Sequence, residues 1–273
     1  MRNLSWFILI TLVVTVYLTS VAGAGLNDGL LIYLPFDDRS GQDASDESGN
    51  GNKAKLVDGA KWKPNGGKIG GAVALDGAGA VVEDAKGGDY INGLEAFSIS
   101  VWVKSDSVGH DRGIIFGKDP DGGDHTFGLR YDAASWATKG GTNLIKGGIT
   151  TTGGGQAYEG KSDVQTTDWQ HLVFTWESGE KLALYIDGEF DDDPTHNDDG
   201  KQGTISGATK LFIGKGAKDN NGTSWPGLID DLRIYDRALT EAEIEELASG
   251  VLAVEADGKL ATIWAHLKQR RTD

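Results

Sequence analysis

Three short stretches concentrate side chains that could ligate a hard cation. Asp46-Glu47-Ser48-Gly49-Asn50-Gly51-Asn52 sets carboxylate, hydroxyl and amide oxygens at close spacing, and Gly49 and Gly51 leave the backbone free to turn carbonyls inward. Calcium takes six to eight such oxygens, so calcium coordination through Asp46 and Asn50 is one reading. The other is that Asp46, Ser48 and Asn50 form Asx-type turns that cap backbone amides. Asp119-Pro120-Asp121-Gly122-Gly123-Asp124 has calcium-like spacing but lacks the later Glu of an EF-hand, and Pro120 does not suit that loop. Asp191, Asp192 and Asp193 with Asn197, Asp198 and Asp199 crowd charge that either a cation or solvation would relieve, and a solvated loop is preferred for both of these stretches.

Catalytic signatures are missing. Glycoside hydrolysis needs two carboxylates flanking the scissile bond. The nearest pattern, Glu189-Phe190-Asp191-Asp192-Asp193-Pro194, follows a turn and has proline where the final acid would stand. No G-x-S-x-G elbow and no H-E-x-x-H pair occurs. His171 reads as structural, and Gly153-Gly154-Gly155 does not lead from a strand into a helix as a phosphate loop would. Sugar recognition asks for less: an aromatic face for the apolar side of a sugar and a few polar groups for its hydroxyls. Trp102, Trp169 and Trp176 fall in strands patterned for the core, and Trp225 is expected to cover a core edge. Trp136 and Tyr158 lie in polar, glycine-rich segments where their rings could be exposed, and His125, Arg130 and Tyr131 flank the first of them. The candidate ligand contacts are therefore Trp136, Tyr158, Arg130 and His125.

Composition narrows the classes further. Of 273 residues, 41 are Asp or Glu and 26 Lys or Arg, for a net charge of −15. That charge argues against nucleic acid, which needs a dense cationic face. There is no cysteine, so neither disulfides nor thiol chemistry is available. Residues 1–24 read as a signal peptide: Arg2 precedes the apolar run Leu4–Leu18, and Ala22-Gly23-Ala24 fits the small-residue cleavage rule. An uncleaved membrane anchor is the rival for that run. The expected location is secreted, periplasmic or cell-surface, with a membrane role only if the segment stays attached.

The elements that must position these groups are short strands punctuated by Gly and Asp. Strands are expected at Leu30–Phe36, Ala72–Leu75, Phe97–Val103, Gly113–Gly117, Thr126–Tyr131, Leu144–Ile149, His171–Trp176, Lys181–Ile186, Lys210–Ile213 and Leu228–Tyr235. Phe97, Ile99, Val101 and Val103 share one face, and Asp187-Gly188 signals a tight turn. Ten strands with no long helix between them point to an all-β, antiparallel two-sheet sandwich. Helix is expected only near the end. Thr240 and Glu243 form a capping box, Leu239, Ile244, Leu247 and Ala248 face the sandwich, and Gly250 stops the helix. Lys259–Gln269 could form a second helix, either docked, loose in solution or meeting a partner. The domain thus covers 25–250, with 251–273 as a tail.

In order along the chain stand Leu34-Pro35-Phe36-Asp37, the Asp46–Asn52 stretch, Gly70-Gly71-Ala72-Val73-Ala74-Leu75-Asp76-Gly77 and Phe97-Ser98-Ile99-Ser100-Val101-Trp102-Val103. Asp168-Trp169-Gln170-His171-Leu172, Leu184-Tyr185-Ile186-Asp187-Gly188 and Gly227–Tyr235 complete the series. Together they resemble the laminin-G-like jelly rolls of the concanavalin A-like lectin/glucanase superfamily. The resemblance implies two antiparallel sheets whose first and last strands lie close together. Asp230 would then approach Asp37 and the Asp46–Asn52 loop, giving a candidate calcium set of Asp37, Asp46, Asn50 and Asp230. Lectins, adhesion modules, toxin domains and glycosidases share this fold, so fold alone does not fix function. The expectation is an exported, non-catalytic module recognising carbohydrate or another surface ligand, with calcium as a candidate cofactor. A protein-binding adhesion or scaffold module and a divergent glycoside hydrolase are the alternatives.

Overall fold

A computed structural model describes residues 25–78, 81–117, 127–135, 140–215 and 223–250. The expected leader (1–24) and tail (251–273) lie outside them. The strands are β1 (Leu30–Leu34), β2 (Asp43–Ala44), β3 (Ala54–Val57), β4 (Lys61–Lys63), β5 (Ala72–Asp76) and β6 (Val81–Asp84). After α1 (Gly87–Ile91) come β7 (Ala96–Ser105), β8 (Arg112–Phe116), β9 (Phe127–Ala134), β10 (Thr142–Thr151) and β11 (Gly154–Glu159). Then follow β12 (Gln170–Glu177), β13 (Ala183–Ile186), β14 (Glu189–Phe190), β15 (His196–Asn197), β16 (Leu211–Ile213), β17 (Pro226–Tyr235) and α2 (Glu241–Ala248).

Two antiparallel sheets face each other. The first runs β14-β13-β12-β7-β17-β5-β4, with β1 also on β17; the second runs β15-β11-β10-β9-β8-β16-β6-β3-β2. Period-two alternation sends Phe97, Ile99, Val101 and Val103 of β7 into the space between them. There they join Phe127, Leu129, Ile145, Tyr158, Phe174 and Trp176 in one apolar core. Gly147 shares that face, and a Cβ there would fall 2.3 Å from the Phe174 ring, so only glycine lets the sheets close at this point. The first and last strands pair as the resemblance implies, Leu34 opposite Leu232.

The outer face of the first sheet is covered. α2 lays Ile244 and Leu247 on Val173 and Tyr235. Thr240 caps it as expected: its side chain accepts from the Glu243 N–H, and the Glu243 carboxylate accepts from the Thr240 N–H. Arg237 clamps Glu243 at 2.6 and 2.9 Å and donates to the carbonyls of Gly25 and Asp28, tying the start of the described chain to α2. Asp187 (φ 53°) and Gly188 (φ 89°) make the expected turn, and Gly250 (φ 65°) follows the helix. One expectation needs correction: helix is not confined to the end, because α1 supplies a single short turn between the sheets' strands.

Candidate functional site

Among the described residues, the outer face of the second sheet carries a concavity of about 250 Å³. Strand register explains its shape. Phe116 stands opposite Gly128, Gly128 opposite Gly148, and Gly148 opposite Ala157. Asp198 closes this row, its Oδ2 accepting from the Ala157 N–H at 2.9 Å and its own N–H donating to the Ala157 carbonyl at 3.1 Å. Between buried Phe116 and Asp198 no side chain in the row extends past Cβ. The floor therefore crosses β9, β10 and β11 at right angles to the strands, with backbone near the surface. Gly128 is needed for packing as well as for space, since a Cβ there would meet the Phe116 ring at 2.4 Å.

The neighbouring row is charged. Gly113, Arg130, Lys146, Glu159 and His196 lie side by side across β8, β9, β10, β11 and β15. Lys146 is 6% exposed and its ammonium donates to Asp132 Oδ1 at 3.1 Å, Glu159 Oε1 at 2.9 Å and the Ala134 carbonyl at 2.8 Å. Ser135 donates to the other oxygen of Glu159. Arg130 reaches Asp132 Oδ2 at 2.8 Å and keeps 27% of its side chain exposed. At the far rim His196 Nε2 lies 2.9 Å from Asp198 Oδ1. The wall can donate through Arg130 and Asp198 at the end of the floor can accept, while the floor can receive a flat ring.

Of the residues singled out from sequence for ligand contact, Arg130 is in this groove. Trp136 and His125 lie outside the described residues. Tyr158 requires correction: it borders the groove only through its backbone, because β11 turns its side chain to the core face, 1% exposed and edge-on to Phe174 at 6.2 Å. Burial and the nearby Asp191 raise its phenol far above its ordinary value. Trp225 covers a core edge as expected, fully buried against Tyr131. Trp102 is buried in β7 as expected, but on the outer face of the first sheet, beneath Lys68, whose ammonium sits 4.5 Å from the ring. Phe116, Gly128, Asp132, Lys146, Gly148, Ala157 and Glu159 were missed. Alternation in Phe127-Gly128-Leu129-Arg130-Tyr131-Asp132 does place three of the missed or named residues on one face, but only cross-strand register joins them to Lys146 and Glu159.

The four residues of the expected calcium set each make hydrogen bonds within the fold. Among the described residues no group of three or more His, Asp or Glu side chains is placed to hold a metal ion. Asp46 forms the Asx alternative: Oδ1 accepts from the N–H groups of Tyr33 and Ser48, and Oδ2 from that of Asn52, all within 3.0 Å. Asn50 donates its amide N–H groups to the carbonyls of Leu30 and Leu31. Asp37 and Asp230 do approach a common segment, but it is residues 66–71: Asp37 accepts from Gly71 N–H at 2.6 Å and Asp230 from Ile69 N–H at 2.9 Å. Asp230 is fully buried, its Oδ1 has no partner, and desolvation raises its carboxyl to about 7. Nearby His171, bonded to Ser100 at 2.8 Å, is pushed down to about 3 by burial and by the charges of Arg233 and Lys68.

Comparison with known proteins agrees with this architecture. Residues 76–245 match the family described as the concanavalin A-like lectin/glucanases superfamily. The mouse protein "Sushi, von Willebrand factor type A, EGF and pentraxin domain-containing protein 1" is 29% identical over 163 residues, 57% of this chain and 4% of that protein, so the chain spans a small part of this relative. Domain 4 of AbnA, a GH43 extracellular arabinanase from Geobacillus stearothermophilus solved with arabinotriose, superposes with a TM-score of 0.57 at 24% identity, over 80% of this chain and 98% of that one. The binding domain of botulinum neurotoxin DC, solved with SialylT, gives 0.53 at 16% identity over 84% and 52%. Both structural likenesses show the fold alone.

Proposed function

The chain belongs to the concanavalin A-like lectin/glucanases superfamily, and from that premise we propose that it is a non-catalytic carbohydrate-recognition module whose ligand lies in the groove on its second sheet. The observation that carries this is the Phe116–Gly128–Gly148–Ala157–Asp198 row, a floor with no side chain past Cβ between its two ends, beside a wall of polar groups. Sugar rings need such a surface: a flat apolar approach and a few fixed donors and acceptors for hydroxyls. A structural neighbour described with arabinotriose supports the ligand class. The non-catalytic reading rests on Asp132 and Glu159, the two acids paired with Lys146 beside the groove. Both are held by Lys146, and Glu159 is fully buried, so neither stands free to attack or protonate a glycosidic bond. The leader-like composition of residues 1–24 supports action outside the cytoplasm.

The test is a glycan array probed with the full chain and with Ala157→Leu, which raises bulk from the floor. Sugar binding that the substitution removes is the expected result. An array without hits, or hits unchanged by Ala157→Leu, would refute the groove as the binding site. Release of reducing ends from a bound polysaccharide would instead make the module an enzyme.

A further inference from the structure

Resting on the carbohydrate reading above, we infer that the groove selects uncharged oligosaccharides over uronates and sialosides, and that Arg130 is the residue that fixes the ligand's hydroxyls. The two cations of the wall are not equivalent. An ammonium has three N–H donors, and all three of Lys146 are engaged with Asp132, Glu159 and the Ala134 carbonyl in a site only 6% exposed. Nothing of Lys146 is left for a ligand anion. Arg130 carries five donors in a planar fork, and among the described residues its one ion-pair partner is Asp132. It is the groove's available donor.

Acceptors outnumber it. Asp132, Glu159 and Asp198 bring three negative charges to the wall and floor against the two positive ones of Lys146 and Arg130. A carboxylate or sulfate accepts hydrogen bonds and donates none, so it could satisfy Arg130 but would face Asp198 at the other end of the floor as a like charge. A hydroxyl both donates and accepts. A neutral polyol can therefore accept from Arg130 at one end and donate to Asp198 at the other. The net charge of −15 opposes anionic ligands at longer range in the same sense. Three interstrand spacings separate Phe116 from Ala157, about 14 Å, which holds about three sugar units laid across the strands.

The experiment is titration calorimetry of the full chain with the neutral hits of the array, from mono- to hexasaccharide, beside trigalacturonate and sialyllactose. Affinity for neutral probes should rise with length and level off near the trisaccharide, with the acidic probes at least about tenfold weaker. Arg130→Gln should lose about tenfold on neutral probes, and Arg130→Lys less. Gly155→Leu offers a second block should Ala157→Leu fold poorly, because a Cβ at Gly155 meets no atom nearer than 4.0 Å. Acidic probes that bind more tightly and are displaced by either block would overturn the selectivity while leaving a sugar-binding groove. Unchanged binding by Arg130→Gln would overturn the role of Arg130. An absence of binding by every probe would overturn both the selectivity and the carbohydrate reading.

Discussion

Asp230, Trp102 and His171 stand side by side across β17, β7 and β12, and the two titrating members pull stability in opposite directions. Burial raises Asp230 from its ordinary 3.8 to about 7. Between those values the folded state keeps a proton that the unfolded chain has released, so this residue makes stability fall as pH rises. His171 is depressed from 6.5 to about 3. Between those values the unfolded chain takes up a proton that the folded state refuses, so stability rises with pH. The two trends offset each other over the shared window, each reaching on the order of 4 kcal/mol across its full range. Asp230→Asn should therefore gain on the natural protein in Tm as pH goes from about 4 to about 8, and His171→Gln should lose ground over the lower part of that range. Thermal melts at several pH values check this, and parallel curves for all three proteins would refute it. Asp46 shows why a residue can be seen in sequence without its role being read. Its spacing suits both a cation and an Asx turn, and only the folded chain brings three amides to its carboxylate. Asp46→Ala should cost about 1–3 kcal/mol, by the same amount in calcium and in EDTA, as measured by chemical denaturation.

Elements whose residues alternate were legible: β7, β12 and β17 fall where expected to within two residues, as does the capped α2. β11 was not. Gly154-Gly155-Gln156-Ala157-Tyr158-Glu159 has one large apolar side chain in six and reads locally as a glycine-rich loop, whereas pairing with β10 over six residues makes it a strand. The misreading of Tyr158 follows directly, since a loop aromatic can face outward but this register turns it inward. The bare floor that makes the groove is the same property that hides it from hydrophobic periodicity. α2 gives an independent check on the division of labour between the sheets. Ile244 is fully buried against the first sheet, remote from the groove on the second. Ile244→Ala should cost roughly 2–5 kcal/mol and Thr240→Ala about 1 kcal/mol, seen as lower denaturation midpoints, with glycan affinity unchanged below the transition. A parallel loss of affinity would show that the helix face and the groove are coupled.

At the scale of the molecule, the two sheets are asymmetric in what they leave bare. The first is covered outside by α2, by residues 66–71 and by the start of the described chain, which leaves its outward Ser98, Ser100, Trp102 and His171 buried. On the second, among the described residues, the outer face holds a groove where glycine and alanine stand in place of larger side chains. Its surroundings carry both signs of charge, while the chain as a whole is strongly negative. This balance sets a salt dependence. An anionic ligand drawn to Arg130 would bind more weakly as added ions shorten the Debye length from about 10 Å at 0.1 M toward about 3 Å at 1 M. A neutral ligand held by hydroxyl hydrogen bonds has no net charge to screen, and the buried Lys146 network that shapes the wall is shielded from salt. Affinity for neutral probes should therefore change by less than about twofold between about 0.05 M and 0.5 M sodium chloride. Calorimetry across that range measures it, and a steep fall with salt would mean that charge, not hydroxyl geometry, selects the ligand.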